Sequence, residues 1–179
     1  MKHIVKLQNS EIVLKKWRYP THRTKIMSCL EVEQAYFCAY TEYRFDPGCA
    51  RDIEHFNPNL KNTSSDGYEN WYAVSHRWNN KIKGTNWFAP CYSPSDVEVE
   101  TVYTYSNGYY LYDRSDIKAD NLAKLVGLNE PDLVEERDNY VKSLQYLIDG
   151  GIDLKKYFEK FPKRMLFRTA VNKVFGLTL

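Results

Sequence analysis

Residues 51–84 constrain this chain more than any other stretch. Arg51-Asp52-Ile53-Glu54-His55-Phe56 is short and β-capable. Two runs with loop chemistry follow it, Asn57-Pro58-Asn59 and Asn62-Thr63-Ser64-Ser65-Asp66-Gly67. Residues 71–74 read as a second short strand, and 75–83 as a helix that Gly84 closes at its C-terminal end. Strand, loop, strand and helix within about 35 residues is the size of a ββα unit.

The flanks are read from periodicity and turn chemistry. Residues 1–20 alternate loosely and end in a break at Tyr19-Pro20. Ile26, Leu30 and Ala35 among polar and acidic residues predict a helix over 21–36, with Thr21 or Thr24 as its cap. Residues 37–42 look like a tight knuckle or short hairpin, and Asp46-Pro47-Gly48 is a turn. Residues 97–105 alternate as a strand that Ser106-Asn107-Gly108 turns back into 109–112, so a β-hairpin is expected over 96–113. Helices are expected over 116–126, from Pro131 to Gly150-Gly151, before Pro162, and from Leu166 to Phe175. The expected fold class is α+β: a single domain over 1–179 with a core over 37–84, the hairpin, and a helical extension over 114–179.

Composition bounds the function classes. The formal net charge is only +2, but its distribution is uneven. Residues 1–95 carry 13 Lys/Arg against 9 Asp/Glu, 96–138 carry 4 against 11, and 151–179 carry 7 against 2. Such a chain can touch a polyanion with selected faces only. The basic tail (Lys155, Lys156, Lys160, Lys163, Arg164, Arg168, Lys173) could sit on phosphates or simply solvate the outer side of its helices. No apolar run approaches the ~20 residues of a membrane span, and Met1-Lys2-His3-Ile4-Val5-Lys6 lacks the apolar core of a signal peptide. Cys29, Cys38, Cys49 and Cys91 have no metal-ligand spacing, which suits reduced thiols in a cytoplasmic protein without membrane association. The cluster Tyr103, Tyr105, Tyr109, Tyr110 and Tyr112 is expected to pack across strands.

Glu54-His55 carries the chemistry. Hydrolysis of a phosphodiester needs an activated water, a counter-charge for the transition state and stabilisation of the leaving oxygen. A neutral imidazole can do the first, and one divalent cation held by a carboxylate the other two. Successive strand residues point to opposite faces, so both groups serve one site only where the strand kinks or ends.

Over residues 37–84 the chain resembles the HNH endonucleases. The resemblance rests on Cys38-Ala39-Tyr40-Thr41-Glu42, on Asp52-Ile53-Glu54-His55-Phe56 with Pro58, on Tyr68-Glu69-Asn70-Trp71-Tyr72, and on 79–84. It implies a ββα-metal core in which His55 is the general base, Glu54 a metal ligand and Asn70 the residue that ties the loop to the strand around His55. Spacing from Asn70 favours Asn79 as the second ligand, whereas the family ending Asn-x-x-Lys-Gly matches Asn80-Lys81-Ile82-Lys83-Gly84. Helical neighbours point about 100° apart, so Asn79 and Asn80 cannot ligate equally. Lys83 could meet the scissile phosphate or stand near a position that some relatives fill with His. Lys81 and Arg77 are the other candidate nucleic-acid contacts.

The implied cofactor is a divalent cation, Mg²⁺ or alternatively Mn²⁺, and the implied substrate is DNA. The paired cysteine knuckles of many relatives are reduced here to Cys38 with Thr41, and to Ser75 with Trp78 or His76 with Asn79. No structural zinc is therefore expected, with Trp78 and other aromatics filling that volume. The segment Leu128, Asn129, Leu133, Arg137 extends the likeness to HNH subunits of anti-phage systems such as Septu and some retrons, which implies an ABC-type ATPase partner. An HNH-fold subunit that binds nucleic acid or assembles without turnover, and an RNA-cleaving nuclease, are the alternative readings.

Overall fold

The computed structural model describes residues 1–178 and has a mixed α+β architecture. A short helix α1 (Glu11–Leu14), capped by Ser10, leads into α2 (Tyr19–Glu33). Pro20 does not break the chain. It occupies the first turn of α2, where its fixed φ suits the helix and its missing N–H costs nothing.

The ββα segment forms close to its expected bounds. β1 (Arg51–His55) and β2 (Trp71–Ser75) pair antiparallel, with Glu54 opposite Tyr72 and His55 opposite Trp71. β2 runs directly into α3 (His76–Trp78), which widens into a π-helical turn over Asn79–Lys83 and ends at Gly84 in the left-handed region, φ 51°. The Gly84 N–H donates to the Asn79 carbonyl at 2.6 Å, the i to i+5 bond of that wider turn.

The knuckle over 37–42 is held against β2 by one side chain. Gln34 donates to the Phe37 and Ala73 carbonyls at 2.9 and 2.8 Å, and accepts from the Ala73 N–H at 2.8 Å. All of its amide capacity on this side is spent inside the protein, where an unpaired amide would be costly. Buried Glu42 gathers distant segments: the Lys2 N–H donates to it at 2.6 Å, and the Thr169 N–H and hydroxyl at 2.8 and 2.7 Å. The N-terminal segment also lays Lys6 under the sheet. Its ammonium donates to the Tyr68 and Trp71 carbonyls at 2.8 and 2.5 Å and lies 3.9 Å from the Tyr72 ring centre.

The hairpin is shorter than the sequence suggested. Residues Val97–Glu100 form a 3₁₀ turn, and only β3 (Thr104–Ser106) and β4 (Tyr109–Leu111) pair. The alternation of Val97-Glu98-Val99-Glu100 has the strand period, yet one turn suffices to bury Val99 and leave Val97 outside. The tyrosines do pack across the strands: Tyr105 meets Tyr110 at 6.2 Å and Tyr103 meets Tyr112 at 5.6 Å between ring centres.

The helical part consists of α4 (Ile117–Leu125), capped by Asp116, then α5 (Pro131–Asp149), α6 (Leu154–Lys160) and α7 (Arg168–Phe175). Leu122, Leu125, Leu133 and Val141 join the main core. Leu144, Leu154, Phe158 and Val171 close a second, smaller one. Among the described residues no helix is long and apolar enough to cross a membrane, and all four cysteines are free thiols.

Candidate active site

Alternation along β1 sorts the acidic and imidazole groups. Asp52 and Glu54 are two residues apart and both meet the helical turn after β2, Asp52 through Asn79 and Glu54 through Lys83. His55, the last residue of β1, meets α2 and the loop that precedes β2.

On the helical side Glu54 is 6% exposed, and its carboxylate lies 2.5 Å from the ammonium of Lys83, which is fully buried. Asn79 is one helical turn before Lys83, near enough to Glu54 for its side chain to pull that carboxyl down. The Asn79 Nδ2 donates to Asp52 Oδ2 at 3.1 Å, and its Oδ1 is buried without a partner. Burial pushes the Glu54 carboxyl up, against the pull of Lys83 and Asn79.

Asn80 is exposed and its amide meets the His76 imidazole at 2.9 Å, so Asn79 and not Asn80 stands with Glu54. His76 is also held by Asp52 at 2.9 Å. Of the other candidate contacts, Lys81 is exposed and Arg77 is paired with Asp132 at 2.9 Å. Of the places open to Lys83 in the sequence, a solvated surface is not the one it takes: its ammonium is inside the protein beside Glu54, the carboxylate expected to hold the metal.

His55 is 5% exposed. Its Nε2 lies 3.2 Å from Asp66 Oδ2, and its ring packs edge-on against Tyr19 at 4.5 Å and Trp71 at 6.2 Å between centres. Asp66 is fixed in turn, since its Oδ1 accepts from the Trp71 indole N–H at 2.8 Å and its Oδ2 from the Asn62 N–H at 3.2 Å. With Asp66 ionised, the tautomer carrying its proton on Nε2 is favoured and Nδ1 keeps its lone pair. Burial pulls the His55 imidazole below its ordinary value; Asp66 opposes this shift, while Lys61 and Lys83 assist it. Lys83 thus acts electrostatically on both halves of the site.

Asn70 does what a loop tie should do. It accepts from the Asn57 N–H at 2.8 Å and donates to the Asn57 carbonyl at 3.1 Å, while its own carbonyl accepts from the Phe56 N–H at 2.8 Å. The chain just past His55 is therefore pinned to the start of β2. Asn70→Ala strands both Asn57 backbone groups and is expected to cost about 1–3 kcal/mol. Urea denaturation measures it, and a change within about 0.5 kcal/mol would mean that water replaces the amide.

The donors can be tested against a hard divalent cation, which takes oxygen ligands. Glu54 offers a carboxylate and Asn79 an unpartnered buried oxygen, and Mg²⁺ accepts one or two such ligands while keeping several waters. Among the described residues no group of three His, Cys, Asp or Glu gathers for a metal. Glu54 and Asn79 are thus oxygen donors of the kind a hard cation takes, with the Lys83 ammonium as a competitor for the same carboxylate.

The reduced knuckles also face each other. The Ser75 N–H donates to Cys38 Sγ at 3.3 Å, and Trp78 is buried with its indole N–H donating to the Val126 carbonyl at 3.1 Å.

Two residues were missed in the sequence. Asp52 was legible from the period of the strand, being two positions before Glu54. Asp66 carried no signal, because only the fold of the loop over 57–67 brings it to His55. Compared with models of known families and with curated proteins, the chain matches none of them.

Proposed function

We propose that this chain is a metal-dependent HNH-type endonuclease that hydrolyses DNA phosphodiester bonds. The observation that carries the reading is the way Asn70 pins the chain beyond His55 while the helical turn after β2 sets Lys83 against Glu54 and Asn79 against Asp52. A divalent cation, Mg²⁺ or Mn²⁺, held by Glu54 and Asn79 would supply charge for the transition state and the leaving oxygen.

The protein's own groups do the rest. His55 takes a proton from water at Nδ1, and Asp66 stabilises the imidazolium through Nε2. Tyr19 and Trp71 hold the ring and keep bulk water away. A place in anti-phage defence beside an ABC-type ATPase belongs to the same proposal and is supported by the sequence resemblance alone.

A plasmid-nicking assay with Mg²⁺ or Mn²⁺ tests the activity. His55→Ala is expected to lower the rate by about 10²–10⁴, the usual worth of a positioned base. Because burial lowers His55 in the folded protein, the acid limb of the rate profile should fall below the ordinary histidine value of 6.5. Equal inertness of wild type and variant with every cation and with DNA and RNA would sink the enzyme reading. Lys83 favours the second reading, a binding or assembly subunit without turnover, since its ammonium already neutralises Glu54. Binding without cleavage would support that reading.

A further inference from the structure

We infer that the surface formed by α1, the start of α2 and Lys61 is a nucleic-acid binding face that leads the phosphate backbone toward His55. None of the contacts considered from the sequence lies on it. Residues 12–30 contain five Lys/Arg and no Asp/Glu. Of these, Lys15 is paired with Glu11 at 3.0 Å. Among the described residues Lys16, Arg18, Arg23, Lys25 and Lys61 form no ion pair with a carboxylate, although all five are exposed. Some exposed cations elsewhere are answered by an acid, as in Arg77 with Asp132, and among the described residues others such as Lys155 and Lys156 are not. What sets this face apart is a run of cations over 12–30 with no acid among them, gathered around two aromatic rings. Unanswered like charges raise the local potential, and a polyanion is the partner that relieves it.

The cations are organised around rings. Lys15 and Lys25 lie 5.3 and 5.7 Å from the Trp17 ring centre, and Arg23 and Lys61 lie 4.9 and 5.7 Å from that of Tyr19. Trp17 and Tyr19 also line a cleft of about 680 Å³, together with Lys16, Arg18, Asp66 and Trp71, while Lys25 and Arg23 stand on the far sides of the two rings, outside it. Interleaved aromatic and basic groups beside a cleft are what an unpaired base and its flanking phosphates require. One wall of the cleft borders the site, because Tyr19 and Trp71 pack on His55 and the Asp66 carboxylate lies 3.2 Å from its Nε2. This face deepens the nuclease reading by naming how its substrate would lie, but its binding role does not need turnover.

The test is fluorescence anisotropy of the full chain in EDTA, with a labelled single strand, its duplex and RNA of the same sequence, over a range of salt. Lys16→Glu/Arg18→Glu/Lys25→Glu is compared with the tail variant Lys155→Glu/Lys156→Glu/Lys160→Glu, after melting curves show that both fold. The first is expected to weaken single-strand binding about tenfold or more and to flatten its salt slope by about 2, near 0.7 for each lost phosphate contact. The tail variant should change little. Trp17→Leu, which keeps an apolar group in place, should weaken the single strand more than the duplex. The proposal is overturned if none of the three nucleic acids binds, or if the tail variant loses affinity and the α1–α2 variant does not. Binding at this face without cleavage would retire the proposed activity and leave the face standing. Cleavage that ignores the charge reversals would do the opposite.

Discussion

Lys83→Met is expected to destabilise the protein by about 3–5 kcal/mol, because it leaves the buried Glu54 carboxylate without its cation. Breaking one side of a buried ion pair costs far more than removing both. The double variant Glu54→Gln/Lys83→Met should therefore recover most of the loss, and urea midpoints of wild type, Lys83→Met, Glu54→Gln and the double variant give the coupling directly.

The pH dependence has a definite sign. Burial already raises the Glu54 carboxyl against Lys83, and without Lys83 it must rise further. Above the ordinary value of 4.5 the folded Lys83→Met protein would then hold a proton that the unfolded chain has lost, so its stability falls as pH rises. The cost of Lys83→Met should accordingly be smaller at pH 5 than at pH 8. A cost below about 1 kcal/mol that does not vary with pH would mean that water reaches Glu54. The same change also bears on cofactor chemistry: if Glu54 and Asn79 take a divalent cation, removing the competing ammonium should tighten Mn²⁺ binding measured by calorimetry, provided the variant folds.

Arg137→Ala carries the other large expected effect, again about 3–5 kcal/mol. Arg137 rises from α5 and is fully buried. Its guanidinium donates to the carbonyls of Gly108 and Leu128, the latter at 3.0 Å, and lies 4.3 Å from the Tyr110 ring centre. Asn129 completes the clamp by donating to the Tyr110 carbonyl and accepting from its N–H, both at 2.9 Å. The hairpin turn is pressed so closely on α5 that a Cβ at Gly108 would stand 2.3 Å from the Val134 carbonyl oxygen, in a backbone conformation of φ +83°.

Truncating Arg137 leaves two buried carbonyls without donors and a cavity beneath Tyr110. Arg137→Lys keeps the charge but lacks the planar fork, and should recover only part of the loss. Thermal melts of both variants separate these cases: equal melting of wild type and Arg137→Ala would remove Arg137 from the core's polar framework. The Leu128, Asn129, Leu133, Arg137 segment thus has a structural reason independent of any partner, since it fastens β3 and β4 to α5.

Much of the architecture was legible because local rules decided it. The second strand and the helix after it follow from the run Trp71 to Val74 and from Gly84, whose left-handed conformation ends the turn. Asp116 and Pro131 mark the starts of α4 and α5 by capping and by fixed φ. Asn70 as a loop tie was also readable, since both its partners are backbone groups of Asn57 within the same unit.

What local rules could not decide was whatever depends on which distant group arrives. Pattern alone could not tell a 3₁₀ turn from a strand at Val97–Glu100, because both bury Val99. An exposed phosphate contact and a buried counter-ion look alike in sequence, and only the packing of α3 and its π-helical turn against β1 made Lys83 the latter. Which of Asn79 and Asn80 faces the strand depends on a helical phase that sequence does not give; in the fold Asn79 bonds Asp52, whereas Asn80 meets His76. Asp66 beside His55, Lys16 and Arg18 along one cleft, and Arg23, Lys25 and Lys61 near the rings of Tyr19 and Trp17, arise from loop closure and helix placement. The sequence by itself determined the order of elements and the types of groups that could do chemistry; the tertiary structure decided which of those groups are neutralised, which are oriented, and which stay free to meet a partner.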